Sequence, residues 1–184
     1  MKKICKSFIL VVAVLHAKNL VHLDIKPENI MIDSNGHVRL VDFGLAKEGV
    51  CNPTSGATSF VGTTEYLAPE MLKKRGHGYA VDWWSLGMVL YEMLTGTHPF
   101  HGDNQGALFM KILRGKYPPV NERAYGEDIR ALLDRCLAND VRTRLDARGI
   151  LRGKAARERA AALGLDLPEE VAPPAKIGGG GGGG

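Results

Sequence analysis

The chain has 184 residues, 45% hydrophobic and 24% charged, with 24 Lys and Arg against 20 Asp and Glu. That composition allows a globular core with a tail and excludes global disorder. Eight of the basic and five of the acidic residues lie in 141–184, so the first 140 are nearly neutral, and charge alone points to neither a nucleic-acid nor a membrane partner.

Met1-Lys2-Lys3 ahead of Phe8-Ile9-Leu10-Val11-Val12-Ala13-Val14-Leu15 imitates a secretory signal. His16-Ala17 is a poor cleavage site, however, and residues 4–18 read better as a helix apolar nearly all round, hence buried. The apolar run is too short to span a membrane. Cys5, Cys51 and Cys136 are odd in number and far apart, with no C-x-x-C. They suit neither a disulfide framework nor a cysteine zinc site, and imply a reducing compartment, so a cytoplasmic location is expected.

Ile30-Met31-Ile32 and Val38-Arg39-Leu40-Val41 are short strands in prospect, with Asn35-Gly36 between them as a two-residue hairpin signal. Residues 49–64 are rich in Gly, Ser, Thr and Pro and read as an exposed loop. Helices are expected over 81–95, ending at Gly96, over 104–114, with Asp103 as N-cap and Gly115 behind it, and over 127–138 and 147–162. Residues 164–184 carry Pro168, Pro173, Pro174 and seven terminal glycines and read as a flexible tail. The glycine run formally fits G-x-G-x-x-G but follows no strand, so it is set aside. Arg148, Arg152, Lys154, Arg157 and Arg159 lack aromatic partners and include Glu158 among them; they read as a solvated helix face rather than a nucleic-acid surface. The expected fold is mainly α, with one small β-hairpin.

Three motifs carry chemistry. His22-Leu23-Asp24-Ile25-Lys26-Pro27-Glu28-Asn29 resembles the catalytic loop of protein kinases, Asp42-Phe43-Gly44 their D-F-G, and Ala68-Pro69-Glu70 their A-P-E. Any one tripeptide is weak; three in this order, separated by a hairpin and a Ser/Thr-rich loop, are strong. The resemblance implies ATP and Mg²⁺ as cofactors. Asp24 would accept the proton of a substrate hydroxyl, and Lys26 would place positive charge beside the moving phosphoryl group. Asn29 and Asp42 would supply oxygen to Mg²⁺. Lys26, Glu28, Asn29, Met31 and Asp42 are the expected nucleotide-side residues. Phosphoryl transfer suits these residue types, because it asks for positioning and charge neutralisation rather than covalent help.

Gly62-Thr63-Thr64-Glu65-Tyr66-Leu67 looks like the P+1 loop of a serine/threonine kinase, with Thr63 between Asp24 and Lys26. Asp82-Trp83-Trp84-Ser85-Leu86-Gly87 is similar to the D-W-W-x-L-G of the AGC group around cyclic-AMP-dependent protein kinase. The resemblance makes Asp82 a brace for the catalytic loop, pairs Glu70 with Arg144, and gives His22 and Phe43 structural parts. Glu28, Glu65 and Glu92 fall where related kinases present carboxylates to arginines ahead of the target residue, so the implied partner is a protein substrate with basic residues near its Ser or Thr.

Two substitutions depart from the pattern. Leu23 stands where the family carries an arginine that clamps a phosphate on the activation loop, for which Ser59 is the matching phosphorylation position. Val61 stands where AGC kinases usually carry Cys. The larger departure is upstream. The first glycine is Gly36, so nothing before the catalytic loop matches a Gly-rich lid, a strand Lys or a helix Glu. The expectation is a kinase C-lobe over 1–153 without an N-terminal β lobe, then a helix end and tail over 154–184. An apolar upper face around Ile30, Met31, Val89 and Met93 would then meet an N-lobe or a regulator. A catalytically dead binding module and an incomplete gene model are the other readings.

Overall fold

The computed structural model describes residues 2–49, 62–74, 76–151 and 154–162. Ser59, Val61, Cys51 and the Pro/Gly-rich segment lie outside them. The described elements are α1 (Lys2–Ala17), β1 (Leu20–Val21), β2 (Ile30–Ile32), β3 (Val38–Leu40), β4 (Lys47–Glu48), α2 (Pro69–Leu72), α3 (Ala80–Thr95), α4 (Gln105–Arg114), α5 (Glu122–Tyr125), α6 (Glu127–Cys136), α7 (Ala147–Leu151) and α8 (Lys154–Ala162). The fold is mainly helical with small antiparallel pairs.

The expectation of one hairpin is corrected to two strand pairs. β2 and β3 pair as expected, with Ile30 opposite Leu40 and Ile32 opposite Val38. The second pair, β1 with β4, sets Leu20 opposite Glu48 and Val21 opposite Lys47. This ladder brings the two ends of a 29-residue stretch together, so the catalytic-loop motif leaves β1 beside β4, the strand into which the D-F-G segment leads.

The turn between β2 and β3 is also not the expected two-residue type. Only Gly36 takes positive φ, at 75°, and Asn35 does not. The Asp33 carboxylate accepts the N–H of Asn35 and of His37, both at 2.9 Å. Gly36 N–H bonds the Asp33 carbonyl at 2.8 Å, giving a three-residue loop with glycine in the left-handed position.

Helix α3 is the centre of the molecule. Trp83, Leu86, Val89 and Leu90 join α1, α6 and α7 in one apolar cluster. Val81, Trp84 and Met88 join Val21, Leu23, Leu67, Met71, Phe100 and Ile112 in a second. A helix apolar all round fits burial on two sides. Gly96 caps it in the left-handed region at φ 72°. α1 is buried through Cys5, Phe8, Leu10 and Val12. No helix among the described residues is long and apolar enough to cross a membrane. The N-cap of α4 is Asn104, whose side chain accepts the Ala107 N–H at 2.9 Å, in place of the expected Asp103. Ala160 of α8 is buried in the same core as α1.

Val89 is 1% exposed, so it belongs to the core and not to an open upper face. Among the described residues, the exposed large apolar side chains are Met31, Ile32, Phe43, Leu45 and Met110.

Candidate active site

The chain leaves β1 into His22 and meets α3 at once. The Asp82 carboxylate accepts the N–H of His22 at 2.8 Å and of Leu23 at 2.9 Å. His16 Nε2 lies 2.8 Å from the same carboxylate. A buried charge needs such partners, and Asp82 has three donors. The brace matters because Leu23 sits at φ 66°, costly for a side chain bearing a Cβ by about 1–3 kcal/mol. Burial of Leu23 among Leu67, Met71 and Val81 helps to hold it there. The Leu23 side chain thus occupies an apolar cluster.

His22 carries the next link. Its Nε2 is 3.1 Å from the Val41 carbonyl, which only accepts, so Nε2 carries the proton. Its Nδ1 accepts the Asp24 N–H at 3.3 Å, and its ring lies 4.9 Å from that of Phe43. One imidazole therefore ties the catalytic-loop motif to the segment leading into Asp42-Phe43-Gly44.

The Asp24 carboxylate accepts four donors. Oδ1 accepts the Thr63 hydroxyl at 2.9 Å and the Thr63 N–H at 3.1 Å. Oδ2 meets Lys26 Nζ at 2.9 Å and the Asn29 amide at 3.1 Å. Lys26 Nζ also donates to Thr63 Oγ1 at 2.9 Å. Burial pushes the Asp24 carboxyl up, but the bonds from Lys26 and Thr63 outweigh it and hold the group below the ordinary carboxylate range. The bond to Asp24 raises Lys26 above its usual value, with Glu28 and Asp42 adding negative charge.

Thr63 reaches Asp24 because Gly62 lies against Leu23. A Cβ on Gly62 would sit 2.8 Å from the Leu23 carbonyl, and its φ of 100° excludes ordinary side chains. After this contact Thr64–Tyr66 form a 3-10 turn, and Pro69 opens α2 at a position where no N–H is needed. Glu70 is buried and meets Arg144 at 2.6 Å.

Asn29 donates its amide nitrogen to the Asp24 carbonyl at 2.9 Å as well as to the carboxylate, so its oxygen is the end left for a cation. Asp42 is exposed, at φ 60°, with Oδ1 accepting the Gly44 N–H at 3.2 Å. Two oxygen donors of this kind fit Mg²⁺, which takes one or two protein ligands and completes its shell with phosphate and water. Met31 is 58% exposed, on the outer side of β2.

Of the three expected substrate carboxylates, Glu92 contacts Tyr66 directly and the charges of Glu28 and Glu65 act on it. Tyr66 OH donates to Glu92 Oε2 at 2.9 Å. Burial, the bond to Glu92, and the charges of Glu92, Glu28 and Glu65 push Tyr66 well above the usual phenol range. Glu28 and Glu65 are exposed, and Glu92 is half-buried. Sequence reasoning missed two histidines. His16 meets Asp82 across 66 residues, a contact with no local signal. His98 packs on Tyr66 with ring centres 5.1 Å apart.

Residues 1–154 match the protein kinase domain model. The chain belongs to the protein kinase family. It is 47% identical over 137 residues to Protein kinase 2 of Dictyostelium discoideum, covering 73% of this chain and 27% of that protein. It is 46% identical over 134 residues to Ribosomal protein S6 kinase beta of Caenorhabditis elegans, covering 72% and 24%. It is 50% identical over 102 residues to the human cAMP-dependent protein kinase catalytic subunit PRKX, covering 55% and 27%. The chain thus spans about a quarter of the length of these curated relatives. Serine/threonine kinases are among them, including a RAC family homolog, in keeping with the AGC-like motif at Asp82-Trp83-Trp84.

Proposed function

We propose that this chain is the C-terminal lobe of a serine/threonine protein kinase, and that the site around Asp24 serves phosphoryl transfer from ATP to Ser or Thr in basic peptides. The observation that carries the reading is the Asp24–Lys26–Thr63 triangle, in which each pair of side chains is 2.9 Å apart. It joins the catalytic-loop motif to the P+1-loop motif and fixes one carboxylate where a hydroxyl acceptor would arrive.

Bound Mg²⁺ and ATP supply the transferable phosphoryl group and neutralise its charge; Asn29 and Asp42 would hold the metal, with Met31 beside the nucleotide. Asp24 orients the substrate hydroxyl and takes its proton. Both Asp24 oxygens already accept two donors each, which fills a carboxylate's lone-pair positions. The incoming hydroxyl therefore displaces one of them. A carboxylate this acidic is a weak base, so it would take the proton late, as the substrate oxygen bonds phosphorus and ADP leaves with the electrons of the broken P–O bond. Lys26 stays fixed by Asp24 and Thr63 and faces the developing negative charge. Glu28, Glu65 and Glu92 receive arginines of the substrate. With Leu23 in an apolar cluster, a phosphate on Ser59 finds no guanidinium at that position and orders its loop less.

A second reading has its own support. Met31 and Ile32 on β2, with Phe43 and Leu45 after β3, leave a set of apolar side chains exposed. In the enzyme reading an N-lobe covers them; in the binding-module reading a regulator does. Acceptor choice tests the enzyme reading. The chain joined to a kinase N-lobe should phosphorylate a Ser peptide flanked by arginines, and neither its glutamate-flanked counterpart nor a Tyr peptide. Transfer to the Tyr peptide, or indifference to the flanks, would overturn the assignment.

A further inference from the structure

His98 packs against Tyr66 of the Glu92–Tyr66 pair, and the family resemblance gives it no part. It follows α3 in Thr97-His98-Pro99-Phe100-His101. Its Nδ1 is 3.3 Å from the Phe100 carbonyl. A carbonyl only accepts, so Nδ1 carries the proton and Nε2 holds a lone pair. Nε2 is buried and has no hydrogen-bond partner. The ring meets Tyr66 edge to face, and Tyr66 donates to Glu92. The neutral imidazole is therefore a brace: it fixes the phenol, and the phenol fixes one oxygen of Glu92.

Protonation changes that arrangement. A proton on Nε2 creates a buried charged N–H with no acceptor, which the site can satisfy only by turning to a carboxylate. The charged or titratable groups facing the ring are Glu92 on α3, Glu65 and Tyr66 on the turn before α2, and His101 on its own segment. His101 repels the charge; Glu92 and Glu65 attract it.

We propose that His98 is a proton-controlled specificity residue: neutral, it leaves the Glu92 and Glu65 carboxylates to a cationic substrate side chain, and protonated, it competes for them. Burial, with His101 adding to it, lowers the His98 pKa against the opposing Phe100 carbonyl, Glu92 and Glu65, so competition begins only below the ordinary histidine range. The inference rests on the reading of Glu92 as a substrate contact.

The test is a titration of the chain by NMR, with a tetra-arginine peptide as probe. On acidification the Tyr66 ring and Glu92 carboxyl resonances should shift with the same midpoint as His98. Affinity for the probe should fall about two- to fivefold as pH drops from about 7.5 through the His98 midpoint, the size of a partly exposed charge competition. In His98→Gln that fall should disappear. If Tyr66 and Glu92 do not follow the His98 midpoint, or the fall persists in His98→Gln, the proposal is overturned. Should His98→Gln fail to fold, the wild-type midpoints decide alone. Glu92→Gln separates the two readings: unchanged probe affinity at about pH 7.5 refutes Glu92 as a substrate contact, whatever His98 does.

Discussion

Arg144 and Glu70 meet as a two-pronged pair across 74 residues: Nη1 and Nη2 of the guanidinium donate to the two carboxylate oxygens at 2.6 and 3.0 Å. The same guanidinium donates to the carbonyls of Ala80 and Ala138 and lies 5.3 Å over the Trp84 ring. Both side chains are buried. The pair ties α2, at the end of the P+1 loop, to α3 and to the segment after α6.

Breaking such a pair leaves an uncompensated buried charge. Arg144→Ala should cost about 3–5 kcal/mol, read as a shift in the denaturant midpoint. Arg144→Lys should recover only part of this, since an ammonium cannot bridge both oxygens and two carbonyls. Full recovery by Lys would show that charge alone, and not the planar fork, holds the joint.

Asp82→Asn tests the brace on the catalytic loop. The amide keeps one acceptor and sets an NH₂ against the backbone N–H held by the other oxygen, that of His22 or of Leu23. The expected cost is about 1–3 kcal/mol, the penalty of leaving a buried donor unmet. Amide exchange at His22 and Leu23 should quicken more than in the body of α3. Equal protection in both would mean that Leu23 keeps its left-handed backbone through packing alone.

Much of this site was legible because its motifs are contiguous. His22 to Asn29 and Asp42 to Gly44 are runs whose residue types already state their chemistry. The missing parts are relationships between distant residues. β1 and β4 are two residues long and pair across the motif they enclose, so no local pattern marks them. Asn35-Gly36 is a sound local hairpin signal, but the Asp33 carboxylate, two residues earlier, captures two N–H groups and selects a longer loop. Asn104 rather than Asp103 caps α4 for a similar reason: two capping residues stand side by side, and packing chooses the register. Val89 reads as surface only if α3 has an exposed face; buried between two clusters, it has none there. His16 and His98 matter through Asp82 and Tyr66, and neither link is encoded nearby.

The acidity of Asp24 gives a pH prediction. Its carboxyl titrates below the ordinary carboxylate range when folded, held there by Lys26 and Thr63 against burial. A depressed carboxylate contributes stability above its unfolded pKa, and loses it as pH falls through the lower, folded value. Thr63→Val removes the hydroxyl donor, so the Asp24 carboxyl carbon should titrate at higher pH in the variant than in the parent. An unchanged midpoint would show that the hydroxyl adds nothing, and would assign the depression to Lys26 and the Thr63 N–H.

Cysteine labelling reports the core. Cys136 is fully buried and its thiol is pushed up to about 12, chiefly by burial. Burial also raises Cys5. With almost no thiolate at about pH 8, both should resist a thiol reagent in the folded chain and react at the rate of unfolding. Rapid labelling of either without denaturant would show that the α1–α3–α6 core opens locally.

The isolated chain should show negligible phosphoryl transfer, because a kinase site also uses a phosphate lid and a strand Lys supplied from upstream of the catalytic loop. The most direct measurement therefore joins the chain to a kinase N-lobe and compares it with the same protein carrying Asp24→Asn, following phosphoserine formation on an arginine-flanked peptide with Mg²⁺ and ATP. The account predicts transfer by the first and a loss of at least about a hundredfold in the second, the scale of a positioned proton acceptor. A folded, nucleotide-binding fusion with no transfer, or equal rates in the two proteins, would contradict it.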